Sequence, residues 1–98
     1  GHGHLGNRVG IDVDFRYLNS DGNSFRSVNA FKSKSYNLKN NQSLYNSAVK
    51  YDFTKNFQGL SGNINGPSKI KNHNNHGHLG LQYKNLDWKY IATPPTID

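Results

Sequence analysis

The chain has 98 residues, of which 33% are hydrophobic and 12% aromatic, with a net charge of +6 and neither cysteine nor glutamate. That length holds one domain at most, and the lack of cysteine excludes disulfides and thiolate metal sites. Mean hydropathy is −0.88, and no apolar run approaches the roughly 18 residues of a membrane-spanning helix.

The opening Gly1-His2-Gly3-His4 begins abruptly, as expected of a domain cut from a longer chain, and it lacks the unbroken histidine run of a cloning tag. Val9 to Leu18 reads as a strand, with Val9, Ile11, Val13, Phe15 and Tyr17 on one face and Asp12, Asp14 and Arg16 on the other. Asn19-Ser20-Asp21-Gly22-Asn23 is a turn. Ser24 to Phe31 returns as a second, poorly alternating strand. Lys32 to Asn41 is polar loop, with Asn40 or Asn41 available to cap a helix. From Gln42 to about Phe53, the residues Leu44, Tyr45, Ala48, Val49 and Phe53 recur at helical spacing. A short strand follows over Thr54 to Leu60, then a glycine- and asparagine-rich loop from Ser61 to Ser68. His76 to Lys84 is the second clear strand, with Leu79, Leu81 and Tyr83 opposite His76, His78, Gly80 and Gln82. Trp88 is expected to pack on the sheet, and Pro94-Pro95 ends regular structure.

These elements predict an α+β domain over residues 1–98, a small antiparallel sheet with one or two flanking helices. A core this limited, built largely of aromatics, would be helped by a bound metal. Residues i and i+2 of a strand share a face, so paired strands would bring Asp12 and Asp14 against His76 and His78. Two imidazoles, a carboxylate and an open position describe a catalytic zinc site, whose bound water has a pKa near 7. Arg16 on the same face suits an oxyanion or a substrate carboxylate. Gly3-His4-Leu5-Gly6 recurs as Gly77-His78-Leu79-Gly80, which suggests that both segments approach one centre.

His73-Asn74-Asn75-His76-Gly77-His78 resembles the His-x-x-His-x-His segment of the penicillin-insensitive murein endopeptidases. These are zinc peptidases of the group that includes lysostaphin, the D-Ala-D-Ala dipeptidases and the hedgehog domain. Gly10-Ile11-Asp12-Val13-Asp14 resembles that family's Gly-x-Asp-Val-Asp. The resemblance covers both ends of the chain and little of the middle. It implies a hedgehog-like fold and cleavage of amide bonds in peptidoglycan cross-links. It also implies Asp14 and His78 as zinc ligands, His76 as proton carrier, and Asp12 and His73 in support. The family's remaining histidine ligand falls on Asn7 here, and an amide oxygen is a poor substitute. Either His4 swings in from its glycine loop or the metal is weak or absent; His4 is taken as the ligand.

Three functions follow as expectations. The first is a zinc-dependent peptidase acting on peptidoglycan or another anionic wall polymer, monomeric, and periplasmic or extracellular. The second is a secreted basic nuclease or toxin domain, in which His76, His78 and Arg16 act on a phosphodiester. Its lysines are scattered rather than gathered in an arm, and Asp12 with Asp14 would repel phosphate. The third is a catalytically degenerate wall-binding module, whose asparagines and tyrosines hydrogen-bond to and stack on sugars.

Overall fold

The computed structural model of the chain describes residues 8–84. In order they form β1 (Arg8–Phe15), a 3-10 turn (Ala30–Lys32), α1 (Leu38–Lys50), β2 (Phe57–Gly59), β3 (Ser68–Ile70) and β4 (Gly77–Lys84). The strands make one sheet ordered β1-β4-β2-β3. β1 and β2 both pair antiparallel with β4, and β3 runs parallel to β2. The class is α+β as expected, but the sheet is mixed rather than antiparallel, with a single α-helix among the described residues.

The parallel pair has a local cause. A tight turn after β2 would have returned the chain antiparallel. Instead, loop 60–67 wraps around the buried side chain of Gln58. Gln58 donates to the carbonyls of Ile64 and Pro67 and accepts from the Ile64 amide. This carries the chain across before β3 begins.

β1 ends at Phe15, opposite the first residue of β4, and Tyr17 turns into the core. In the next turn, the Asn19 side-chain oxygen accepts from the amides of Asp21 and Asn23. The strand expected over Ser24 to Phe31 does not form. One bridge, Leu18 to Ser24, replaces it. Its apolar residues lack a common face: Val28 is 94% exposed, whereas Phe31 enters the 3-10 turn and packs on Tyr17 with ring centroids 4.6 Å apart.

The helix starts four residues before its expected Gln42. Asn37, not Asn40 or Asn41, is the cap, its side chain accepting from the Asn40 amide at 2.8 Å. Asn41 is buried one turn later, bonding both backbone groups of Leu18 and so tying α1 to the strand end. Asn41, Tyr45 and Ala48 form the buried stripe at i, i+4, i+7. The helix stops short of Phe53, because Asp52 takes a left-handed conformation with φ 71°. The expected strand over Thr54 to Leu60 contracts to Phe57–Gly59.

The core lies on the face of the sheet that carries Phe15 and Leu79. Tyr17, Ala30, Tyr45 and Ile64 are buried, and Phe15, Phe25, Phe31 and Tyr36 pack around them. Phe15 meets Tyr17 and Tyr45 edge-on, at 5.9 and 5.4 Å between centroids, a favourable arrangement of ring quadrupoles. Gly77 is required here, since a Cβ would run into the Tyr45 hydroxyl and the Phe15 ring. Further along β1 the apolar face is uncovered, with Ile11 42% and Val13 39% exposed. The expected placement of Trp88 lies outside the described residues.

Candidate functional site

The two sequence motifs meet as strand pairing requires. Asp14 stands directly opposite His78 in the β1–β4 ladder, and His78 is opposite Phe57 of β2. Opposed residues share a face, so Asp14, His78 and Phe57 form a row across the sheet, with the Phe57 ring 5.8 Å from the imidazole. The His78 Nδ1 lies 2.8 Å from an Asp14 carboxylate oxygen, and its Nε2 lies 3.2 Å from Asp12. A neutral imidazole carries one N–H and donates to one acceptor. Both contacts are satisfied together only if the ring is an imidazolium, or if a cation replaces a proton between nitrogen and carboxylate.

His73 and His76 come from the loop before β4, which is pinned at three points. Tyr17 donates its hydroxyl hydrogen to the His73 carbonyl at 2.8 Å and accepts from the Gly59 amide at 3.2 Å. The Ala30 amide bonds the Asn74 carbonyl, and the Ser61 amide bonds the Asn74 side chain. Gly59 allows the loop to press close, since a Cβ there would sit 2.6 Å from the Asn74 Cα. Tyr17, Gly59, Asn74 and Phe57 thus support the site, and sequence reasoning missed all four in that role. Tyr17 showed only as one member of an apolar face. The others carried no signal, because their partners are distant in sequence.

The held loop sets two imidazoles side by side, His73 and His76, with centroids 4.5 Å apart. His73 Nδ1 faces the Lys71 carbonyl at 2.7 Å, and His76 Nδ1 faces the Asn75 side-chain oxygen at 2.6 Å. Both partners accept, so Nδ1 carries the hydrogen, and each Nε2, without a partner among the described residues, can serve as a base or ligand. Burial, reinforced by the neighbouring His73, lowers the pKa of His76 below its ordinary 6.5, so the ring is neutral at pH 7. The Asp14 carboxyl is also held below its usual value, first by its hydrogen bond with His78. An open concavity of about 310 Å³ is lined by Asp14, Phe15, Arg16, Asn75 and His76. The structure therefore brings together Asp12, Asp14, Arg16, His73, His76 and His78. His4 lies outside the described residues.

The donor chemistry suits zinc at one pair. Two donors on a tetrahedral zinc, at bonds of about 2.0–2.1 Å, stand about 3.3 Å apart. Asp14 and His78 present an oxygen and a nitrogen at 2.8 Å, so an opening of about half an ångström admits the metal. Among the described residues, no group of three or more such side chains is placed to hold a metal ion. A complete set requires a donor from elsewhere or a movement of His73 or His76. None of the described helices is long and apolar enough to cross a membrane. No family model, curated protein or solved structure matches the chain.

Proposed function

We propose that the chain is a zinc-dependent peptidase that hydrolyses amide bonds in the cross-link peptides of peptidoglycan, outside the cytoplasm. One observation carries this reading: a carboxylate oxygen of Asp14 and a ring nitrogen of His78 stand 2.8 Å apart on neighbouring strands, with Asp12 beside the other ring nitrogen, the pattern of a histidine ligand backed by a carboxylate. Asp14 and His78 would hold the zinc, with His4 as the proposed third ligand, and Asp12 would steady the far side of the ring. When bound, the metal polarises the scissile carbonyl and supplies a water of lowered pKa. His76, neutral and with a free Nε2, takes a proton from the attacking water and passes it to the departing amine. Its neighbour His73 keeps the ring in place. Arg16, across the concavity, binds the oxyanion or a substrate carboxylate.

The test is elemental analysis of the purified protein, followed by incubation with peptidoglycan fragments and mass spectrometry. Stoichiometric zinc and new peptide termini are expected, both lost in His78→Ala, whose melting temperature no longer responds to zinc. Protein that binds no zinc, gains no stability from it and releases no peptide would overturn the proposal. Degradation of RNA or DNA that persists in chelator would instead point to the basic nuclease, with His76 and Arg16 acting on a phosphodiester. Retention on cell walls without release of fragments would indicate a binding module.

A further inference from the structure

A second concavity, about 620 Å³, lies between the C-terminal half of α1, loops 53–56 and 65–67, and the first residue of β3. It shares no lining residue with the histidine site. Its volume is in the range of small-molecule sites, about 300–1,000 Å³. Val49, Phe53 and Pro67 give it an apolar surface, and Val49 is 57% exposed there although it belongs to the helix. Around that surface stand Thr54, Asn65 and Ser68. The side chains of these three have no hydrogen-bond partner among the described residues, whereas most polar side chains nearby are engaged. Asn56 bonds Phe53 and Gly80, and Gln42 bonds Asn46 and both backbone groups of Asn65. The loop is thus fixed by its backbone, and the Asn65 amide is left to face outward.

The charge of the lining narrows the ligand. No carboxylate among the described residues lines it, so these residues do not gather cations. Among the described residues Lys50 is the single charge in the lining, and one cation does not make a track for a polyanion, which needs several phosphate contacts. What remains is a ligand with an apolar face and a rim of neutral donors and acceptors. A pyranose ring has that form: its C–H face lies on Phe53, Val49 and Pro67, and its hydroxyl or acetamido groups meet amide and hydroxyl side chains. An amide both donates and accepts, as adjacent hydroxyls require. We infer that this groove binds a short N-acetylated saccharide, with Lys50 placed for one acidic substituent. The inference does not depend on the hydrolase reading, because the two concavities share no lining residue.

The experiment is an NMR titration of the intact chain, in chelator, with the N-acetylglucosamine tetramer. The expected result is shifts at the Asn65 side-chain amide and the amides of Gly66 and Ser68, with His76 and His78 unmoved. Asn65→Ala should weaken binding on the order of tenfold, about 1.4 kcal/mol, while leaving the fold intact, since the backbone bonds of Asn65 to Gln42 remain. Phe53→Leu should do the same by reducing the ring platform. Absence of shifts at millimolar tetramer would overturn the inference. So would shifts centred on the histidines, or a short single-stranded oligodeoxynucleotide or an unrelated peptide filling the groove where the tetramer does not. Saccharide binding without peptide release would leave this site standing while the peptidase proposal falls.

Discussion

The two faces of β4 are built by different means. On one, Gly77 and Leu79 look onto a buried cluster of aromatic rings that meet edge-on. On the other, His78 lies between two carboxylates with its side chain 20% exposed, and Asp14 is 67% exposed. The first face is where apolar surface leaves water, and there the stability resides. The second gives up little by being changed, because polar pairs this open to water contribute little. One strand therefore separates what holds the domain together from what gives it chemistry. The contrast also explains how a chain with 33% hydrophobic residues stays folded: large rings and buried amides replace a broad aliphatic core.

The comparison breaks most directly at Tyr45, which packs under Gly77 and Phe15 and bonds the Phe57 carbonyl. Tyr45→Ala should cost about 3–5 kcal/mol, as for other large aromatic truncations, and urea unfolding would show it as a lower midpoint. Gly59→Ala comes next. The added methyl meets the Asn74 backbone, and overpacking of this kind costs about 1–3 kcal/mol. Its sharper signature is displacement of the histidine loop, read as shifted imidazole resonances of His73 and His76.

Tyr17→Phe keeps the ring and removes only the hydroxyl that joins His73 to Gly59, so about 1–2 kcal/mol is expected. This variant also has a pH signature. Burial pushes the Tyr17 pKa up to about 12 from 10.0. The folded chain then keeps a proton that the unfolded chain loses, and this part of the stability falls as pH rises from 10.0 through about 12. Tyr17→Phe should flatten that alkaline loss in chemical denaturation.

Asp14→Asn should have the smallest effect at pH 7. The carboxyl is held below 3.8 by His78, so its stabilising contribution is present above 3.8 and lost as pH falls through the lowered value. His76 acts in the same direction over a higher window. Its folded pKa lies below 6.5, so acidification from 6.5 downward favours the unfolded chain, which binds the proton more readily. Denaturation midpoints across this range should show two steps, the lower removed by Asp14→Asn and the upper by His76→Asn. An Asp14→Asn loss as large as that of Tyr45→Ala would erase the distinction between the faces.

Strict alternation made β1 and β4 legible in the sequence, and with them the meeting of Asp14 and His78. The alternation counts residues, and strand pairing obeys that count. Helical spacing likewise revealed Tyr45 and Ala48, although the start of α1 was hidden because Asn37, Asn40 and Asn41 are equally good caps on paper. Which one acts was decided by Leu18, whose backbone draws Asn41 into the interior. The crossover to β3 was hidden for the same reason. Gln58 reads as a polar residue in a short strand until the loop closes over it. Of the site, the titratable groups were visible and their supports were not, since Tyr17, Gly59 and Asn74 act through backbone contacts that no local pattern announces.

The pairing of β1 with β4 joins Asp14 to a partner 64 residues further on. A ribosome adding about 5–20 residues per second needs roughly 3–13 seconds to cross that interval of 64 residues. Throughout that time β1 has emerged without the strand that completes it, and Ile11 and Val13, only partly covered even at the end, stand on an open edge. Newly made chains thus pass through a sticky interval in which a holding chaperone would be useful. Asp14 and His78 come together in one late step, when β4 slides between β1 and β2.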